Sequence, residues 1–244
     1  MRRHFSYWYI CISLVLVISA FFVANVQLTA SEWPISLVAI MGFTAPVVVG
    51  AVQWLGRRRG LGVVAGLGIY ALIFETVAIK TGVPYGHFYY SGLLGPHVLG
   101  AAPLTVLVAW TPLVLGALAL QRSLSPRKRV LLAIVLLVLT DVVLDPAAVH
   151  IGFWHWIHPG HYYGVPVINF IGWIISGTIA IVATSLYATR VKAPPMPQIL
   201  GYNLLGIIGF WSLVNLFAGQ YVPALVGGLL IAAQARIYLP LKML

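Results

Sequence analysis

Acidic residues are nearly absent from this sequence. Its 244 residues include only four, Glu32, Glu75, Asp141 and Asp145, and charged residues of both signs make up 7% of the chain. Hydrophobic residues make up 61%, and the mean hydropathy is +0.99. Repeated apolar runs of about twenty residues have the length that crosses a lipid bilayer. The composition therefore places the chain among membrane proteins and gives no sign of a soluble domain.

Cysteine is equally scarce. The single Cys11 excludes an intramolecular disulfide and any metal site built from several thiolates. The chain also lacks a GxGxxG or Walker motif, so nothing in it predicts a nucleotide cofactor. Its net charge of +10 does not indicate nucleic-acid binding, because the basic residues sit in short clusters between apolar runs rather than in one patch.

The apolar runs predict an all-α, polytopic membrane protein with about eight transmembrane helices. The first run is too long for the hydrophobic part of a signal peptide, so we expect it to be retained. No internal repeat is evident, and residues 1–244 are predicted to form a single transmembrane helical domain. The predicted spans cover residues 7–29, 35–55, 61–80, 101–121, 130–149, 166–189, 199–217 and 220–238.

The distribution of basic residues orients these spans. With eight spans, thirteen of the fourteen basic residues fall on one side of the membrane and only Lys80 on the other, so the positive-inside rule puts both termini in the cytoplasm. Seven spans are the alternative, because Arg236 shortens the last one, but they would place Arg236 and Lys242 outside. The thirteen are Arg2, Arg3, Arg57, Arg58, Arg59, Arg122, Arg127, Lys128, Arg129, Arg190, Lys192, Arg236 and Lys242.

Three of the four acids lie inside predicted spans, beneath two unusual external loops. Residues 81–100 and 150–165 are rich in Gly, Pro, His and aromatic residues. At about 1.5 Å per helical residue, Glu75, Asp141 and Asp145 come out roughly 17–22 Å above the cytoplasmic ends of their spans. Asp141 and Asp145 are four residues apart and share one helix face. Ionisable groups at such depth are costly and indicate function, so we predict an enclosed site toward the outer leaflet.

Pro146 bears on the state of these acids. A proline disfavours helical geometry in the residue before it, so the pattern predicts that the helix ends or kinks at Asp145. A carboxyl group there would face the negative end of the helix dipole, with a second carboxyl nearby and little water. All three effects favour the protonated form, which suits a general acid.

Structural interpretations remain open for the same residues. Glu75 could be a buried acid bonded to Tyr or His, Asp141 and Asp145 could also be structural, and Asn169 with Trp173 could be ordinary helix-packing residues. A metal site at the histidine-rich loop is disfavoured, because a Pro-Gly pair at 159–160 breaks the helix that would align His155, His158 and His161. We predict no metal ligands.

The motifs between residues 75 and 173 resemble one family. Glu75 followed by TGVPYGHFYY, then Asp141 and Asp145–Pro146, then WHW, then GHYYGVPVINFIGW, is similar to the membrane hydratases of carotenoid biosynthesis that act on γ-carotene, lycopene-type ends and bisanhydrobacterioruberin. The similarity covers roughly residues 61–217 and is strongest at 141–173. It implies a multi-pass protein of the prokaryotic cytoplasmic membrane, with a carotenoid substrate, the lipid bilayer and other carotenoid-pathway enzymes as its partners.

The resemblance also implies a reaction. An acid protonates the terminal alkene of an acyclic carotenoid end, and water captures the tertiary cation to give a tertiary alcohol, with no redox cofactor, nucleotide or metal. We expect Asp141 to donate the proton, with Glu75 or Asp145 positioning the water and Asn169 holding it. The expected aromatic wall, which stabilises the cation, comprises Tyr85, Trp154, Trp156, Tyr162 and Trp173.

Two other functions are compatible with the same features. A second isoprenoid enzyme is one: a membrane lycopene cyclase also begins by protonating an alkene, and an Mg²⁺-dependent prenyltransferase could use the DxxxD pattern, although such enzymes usually carry two acidic clusters. A non-catalytic carotenoid-binding or transport protein is the other, with the acids serving packing or proton coupling.

Overall fold

The computed structural model describes residues 2–238, with side chains for residues 13–235, and this part of the chain is mostly helical. An α-helix lies at each predicted span. Predictions about Cys11, Arg2, Arg3, Arg236 and Lys242 concern side chains outside the described residues. The helices are α1 (Arg2–Asn25), α2 (Trp33–Leu55), α3 (Arg57–Thr81), α4 (Val106–Leu120), α5 (Pro126–His150), α6 (Val167–Arg190), α7 (Gln198–Phe217) and α8 (Tyr221–Tyr238).

Five helical segments are long and apolar enough to cross a membrane, and three further apolar segments are shorter. The chain is therefore an all-helical membrane protein. That all eight helices cross, with both termini in the cytoplasm, stays a prediction. The long segments are Ala30–Leu55, Arg57–Thr81, Pro126–His150, Val167–Arg190 and Gln198–Phe217, and the shorter ones are Ser13–Asn25, Val106–Leu120 and Tyr221–Ala235.

Helix α4 forms the centre of the bundle. It packs against α2, α3, α5 and α7, and twelve of its fifteen residues are buried. Gly68 on α3 allows the closest of these approaches, because a Cβ there would collide with the backbone carbonyl of Leu107. The span predicted from residue 101 begins later, at Val106. Residues before it form a loop that is held by a backbone bridge between His97 and Pro103.

The basic connections meet at one end of the bundle. The indole of Trp54, at the end of α2, donates to the carbonyl of Pro194 at 2.8 Å, and Arg122, after α4, donates to the carbonyl of Met196 at 3.2 Å. Three connections that carry basic residues are thereby joined at the same end of the bundle.

A small antiparallel sheet closes the opposite end, which the sequence pattern did not predict. Strand β1 (Phe88–Tyr90) pairs with β2 (Trp154–Trp156), so that Phe88 lies opposite Trp156 and Tyr90 opposite Trp154. Strands of three residues are too short to show an alternation of polar and apolar side chains. The sheet joins the two loops that the sequence analysis singled out.

Helix α5 continues through Pro146 to His150, as the predicted span of residues 130–149 requires, so of the two outcomes expected at Asp145, an end or a kink, the helix does not end there. Proline leaves the carbonyl four residues earlier without its helical donor. That carbonyl, on Val142, accepts instead from the Tyr162 hydroxyl at 3.1 Å. A tertiary hydrogen bond thus replaces the lost helical bond. Asp145 lies inside the helix, and the argument from the dipole at a helix end does not apply to it.

A second helix-internal proline, on α4, shows the same arrangement. Pro112 of α4 frees the carbonyl of Val108, which accepts from the Thr44 hydroxyl of α2 at 3.2 Å. Prolines inside membrane helices are tolerated where neighbouring side chains satisfy the freed backbone groups.

Candidate active site

Two carboxyl groups of α5 share one amide of α6. Asp141 and Asp145 are almost completely buried, at 1% and 2% exposure. The Asn169 side-chain nitrogen donates to Asp141 Oδ2 at 3.0 Å and to Asp145 Oδ2 at 2.6 Å. The spacing of four residues on α5 and the position of Asn169 in the first turn of α6 bring the three together. The other oxygen of Asp141, Oδ1, is buried without a hydrogen-bond partner.

Glu75 supplies the third carboxyl from α3, and it too is buried, at 5% exposure. The hydroxyl of Tyr90 on β1 donates to Glu75 Oε2 at 3.2 Å, and the side chain of Trp110 is a second polar neighbour. Burial, and then the neighbouring Glu75, raise the pKa of Tyr90 well above its usual value. Tyr90 therefore stays protonated and acts as the donor in this bond.

No basic side chain neutralises these acids in the part of the chain that the structure describes. The charged and polar neighbours of Glu75, Asp141 and Asp145 are one another, Asn169, Trp110 and the tyrosines Tyr85, Tyr90 and Tyr162. A buried carboxylate without a cation is unfavourable in an apolar medium. A proton shared between two of the carboxyl groups lowers that cost, because ionising several neighbouring carboxyl groups at once is energetically unfavourable.

One cavity connects the acids to aromatic side chains. Glu75, Asp145 and Asn169 line a cavity of about 140 Å³, roughly the size of an apolar protein cavity that holds a benzene-sized group. Of the predicted wall residues, Tyr85, Trp154, Trp156 and Trp173 line it. Asp141 and Tyr162 do not: Asp141 is joined to the lining residue Asn169 by a hydrogen bond, and Tyr162 supports the α5 backbone.

The aromatic wall is held rigidly. Trp110 of α4 and Trp173 of α6 are stacked, with ring centres 4.7 Å apart and planes at 19°. Tyr85 is 2% exposed, and its hydroxyl hydrogen-bonds to Ser176 Oγ at 2.8 Å while its carbonyl accepts from the Trp156 indole at 2.9 Å. Gly172 makes room for the Tyr85 ring, which a Cβ at that position would strike.

Sequence reasoning did not single out three residues at the site. Trp110 lies on α4, which has no ionisable residue that would draw attention to it. Tyr90 and Phe88 lie in the GHFYY motif, but their inward orientation depends on the pairing of β1 with β2. No feature of the sequence identified that pairing.

The histidines of the external loops lie away from the cavity. None of them lines it, and the ring of His155 packs against Tyr89 with centres 5.6 Å apart. His150 interacts through Nε2 with the carbonyl of Ala24 at 3.0 Å. Among the described residues, no group of three or more His, Cys, Asp or Glu side chains is placed to hold a metal ion.

Comparison with known proteins agrees with the resemblance seen in the motifs. A family described as "Carotenoid biosynthesis protein" matches residues 34–234, which include every site residue named above. A bisanhydrobacterioruberin hydratase from Haloarcula japonica is 37% identical over 188 residues. The aligned part is 73% of this chain but 63% of that relative, so the chain spans less than two thirds of the relative's length. No solved structure matches. The protein belongs to the carotenoid biosynthesis protein family.

Proposed function

We propose that this protein is a carotenoid hydratase, which adds water to the terminal trisubstituted double bond of an acyclic carotenoid end group. The observation that carries the proposal is that Glu75 and Asp145, two buried carboxyl groups without a basic neighbour, line one cavity together with stacked indoles. The name of the Haloarcula japonica relative supports the same reaction class.

The Asp141–Asp145 pair is the acid. The two carboxyl groups share one proton, and the Asn169 amide, which donates to both, holds them in register. Asp145 delivers the proton because it is the member that lines the cavity. Asp141, the donor expected from the sequence, does not line the cavity and shares the proton with Asp145. Proton transfer goes to the less substituted alkene carbon and leaves a tertiary cation on the carbon that bears the methyl groups.

The aromatic side chains stabilise that cation. The faces of indole and phenol rings attract a positive charge within about 6 Å of the ring centre. Trp173 lines the cavity beside Asn169, and its stacking on Trp110 fixes its orientation before the substrate binds. Wall groups that need no rearrangement are the most effective at stabilising a charge that develops during the reaction.

Glu75 is the base. Its carboxylate accepts from Tyr90, a donor that keeps its proton, and this bond suits the ionised form. Glu75 orients a water molecule, which attacks the cation and gives up a proton to Glu75. The proton then returns to the Asp141–Asp145 pair. The sum is alkene plus water to tertiary alcohol, and the acids end as they began.

The substrate class follows from the size and lining of the cavity. A space of about 140 Å³ holds a branched end group and a water molecule but not a whole carotenoid. Acyclic ends of the lycopene, γ-carotene and bisanhydrobacterioruberin types fit this description. Because the basic connections lie at the opposite end of the bundle from the β1–β2 sheet, the positive-inside rule puts the site toward the outer leaflet of the cell membrane.

Expression in bacteria that accumulate lycopene, γ-carotene or bisanhydrobacterioruberin, followed by mass analysis of the pigments, tests the proposal. The expected result is a product heavier by one water for each modified end. An isomer of unchanged mass would instead identify a cyclase. Unchanged pigments in all three hosts, with the protein present in the membrane, would refute the hydratase.

A further inference from the structure

The catalytic cavity has a polar closed end and an apolar end that reaches the protein surface. The closed end is formed by fully buried residues of α3, α5 and α6, among them Glu75, Asp145 and Asn169. At the other end the lining side chains are apolar and only half-buried: Ile40 and Phe43 of α2, Phe153 before β2, and Trp211 of α7. The reaction can take place at the polar end of such a cavity, and an apolar chain can pass through the other end.

The apolar end lies between α2 and α7. Lower in the bundle these helices pack closely: Gly50 approaches the Leu200 side chain, and the Asn203 amide donates to the Phe43 carbonyl at 2.9 Å. Above Phe43 both helices line the cavity, α2 through Ile40 and α7 through Trp211, and we call the space between these two side chains the gap. Phe153 packs edge-on against Trp211, with ring centres 6.2 Å apart, and borders the gap on the sheet side.

Resting on the proposed function, we propose that this gap is a lateral portal for the polyene. The end group occupies the closed end, and the rest of the chain passes between α2 and α7, beside Ile40, Phe43 and Trp211, into the bilayer. A carotenoid many times longer than the cavity needs such an exit, and leaving through lipid spares its apolar surface contact with water. The enzyme therefore processes one end of its substrate at a time.

Substitutions at two positions of α2 test the portal by turnover. Ile40→Trp narrows the apolar end, whereas Val38→Trp lies on the same helix, 72% exposed and outside the cavity. With a C40 acyclic carotenoid, Ile40→Trp is expected to lower kcat/KM by about tenfold or more, because small displacements in a site have large kinetic effects. With a short acyclic terpene that carries the same end group, the rate stays within about twofold. Val38→Trp changes neither rate. An equal loss on both substrates, or no loss on either, would overturn the proposal.

A labelling experiment tests the portal without relying on catalysis. In a Cys11→Ser background, Ile40→Cys and Val38→Cys are treated with a membrane-permeant maleimide in vesicles, with and without lycopene. When lycopene exceeds its Kd about tenfold, the labelling of Ile40→Cys is expected to slow by about tenfold, and that of Val38→Cys not to change. Equal labelling rates at Ile40→Cys with and without lycopene would overturn the portal.

The two experiments separate the portal from the reaction. If lycopene protects Ile40→Cys from labelling but the wild-type protein hydrates no carotenoid, the hydratase is refuted and the portal is kept. Hydration without protection would keep the hydratase and refute the portal.

Discussion

Polar groups are buried at both ends of the helix bundle, but they are satisfied in different ways. At the basic end, donors meet neutral acceptors: Gln121 donates to Gln234 at 3.0 Å, and the Trp54 indole donates to the Pro194 carbonyl. Beneath the β1–β2 sheet, Glu75, Asp141 and Asp145 are buried without a cation. Neutral pairs of the first kind hold helices together at low cost, whereas unpaired carboxyl groups destabilise a fold. Structural stability explains the first end and not the second.

Among substitutions at the two ends, Asp145→Asn is expected to cause the largest loss of activity. The amide keeps the shape of the side chain but cannot donate an acidic proton, so hydration should fall about 10²–10⁴-fold, the usual contribution of a general acid. Unfolding temperature should stay the same or rise, because a buried carboxyl is removed. Rates from membranes with matched protein levels check this. Wild-type activity in Asp145→Asn would remove Asp145 from the mechanism.

Asp141→Asn sharpens the same comparison within the acid pair. Because Asp141 acts on the substrate only through Asp145, we expect a loss of about tenfold to a hundredfold, smaller than at Asp145. Rates of the two single variants, measured side by side, decide the order. The reverse order would make Asp141 the donor, as the sequence alone suggested.

Tyr90→Phe should have a moderate effect. It removes one hydrogen bond to Glu75 and keeps the ring, and the loss of about 1.4 kcal/mol corresponds to about tenfold in rate. Tyr89→Phe is the matched control, since Tyr89 is the next residue of the strand, 53% exposed and outside the cavity. Equal activities of the two variants would show that the bond to Glu75 has no catalytic role.

The smallest effect on activity is expected at the basic end. Gln121→Leu leaves Gln234 without its partner, which should lower the free energy of unfolding by about 1 kcal/mol while activity stays within about twofold. Thermal unfolding and product formation, measured on the same preparation, check both parts. A large loss of activity without a loss of stability would mean that the two ends are coupled.

The helices and the three acids could be predicted from the sequence, because apolar runs of membrane length and rare ionisable residues are strong local signals. The means by which α5 tolerates Pro146 could not be predicted. It depends on the Tyr162 hydroxyl, sixteen residues further on, which replaces the helical donor to Val142. Which acid faces the cavity could not be predicted either, because Asp141 and Asp145 share a helix face and a hydrogen-bond partner, Asn169.

The aromatic wall was predicted in part for a similar reason. Tyr85, Trp156 and Trp173 stand in motifs beside the acids, whereas Trp110 reaches the site from a helix that is distant in sequence. Tyr162 is aromatic like the wall residues, but its hydroxyl donates to the α5 backbone instead. Residue type and proximity in sequence indicate the kind of site, and tertiary packing decides which side chains face it.

Solvent isotopes test the central claim most directly. Membranes that contain the protein are given unlabelled carotenoid in deuterated water and, separately, in ¹⁸O-labelled water. Proton addition followed by water capture predicts one deuterium on the carbon next to the alcohol and one solvent oxygen in the hydroxyl group, with both absent in Asp145→Asn. A hydroxyl oxygen that does not come from water, or an adjacent carbon without solvent hydrogen, would contradict hydration by these carboxyl groups.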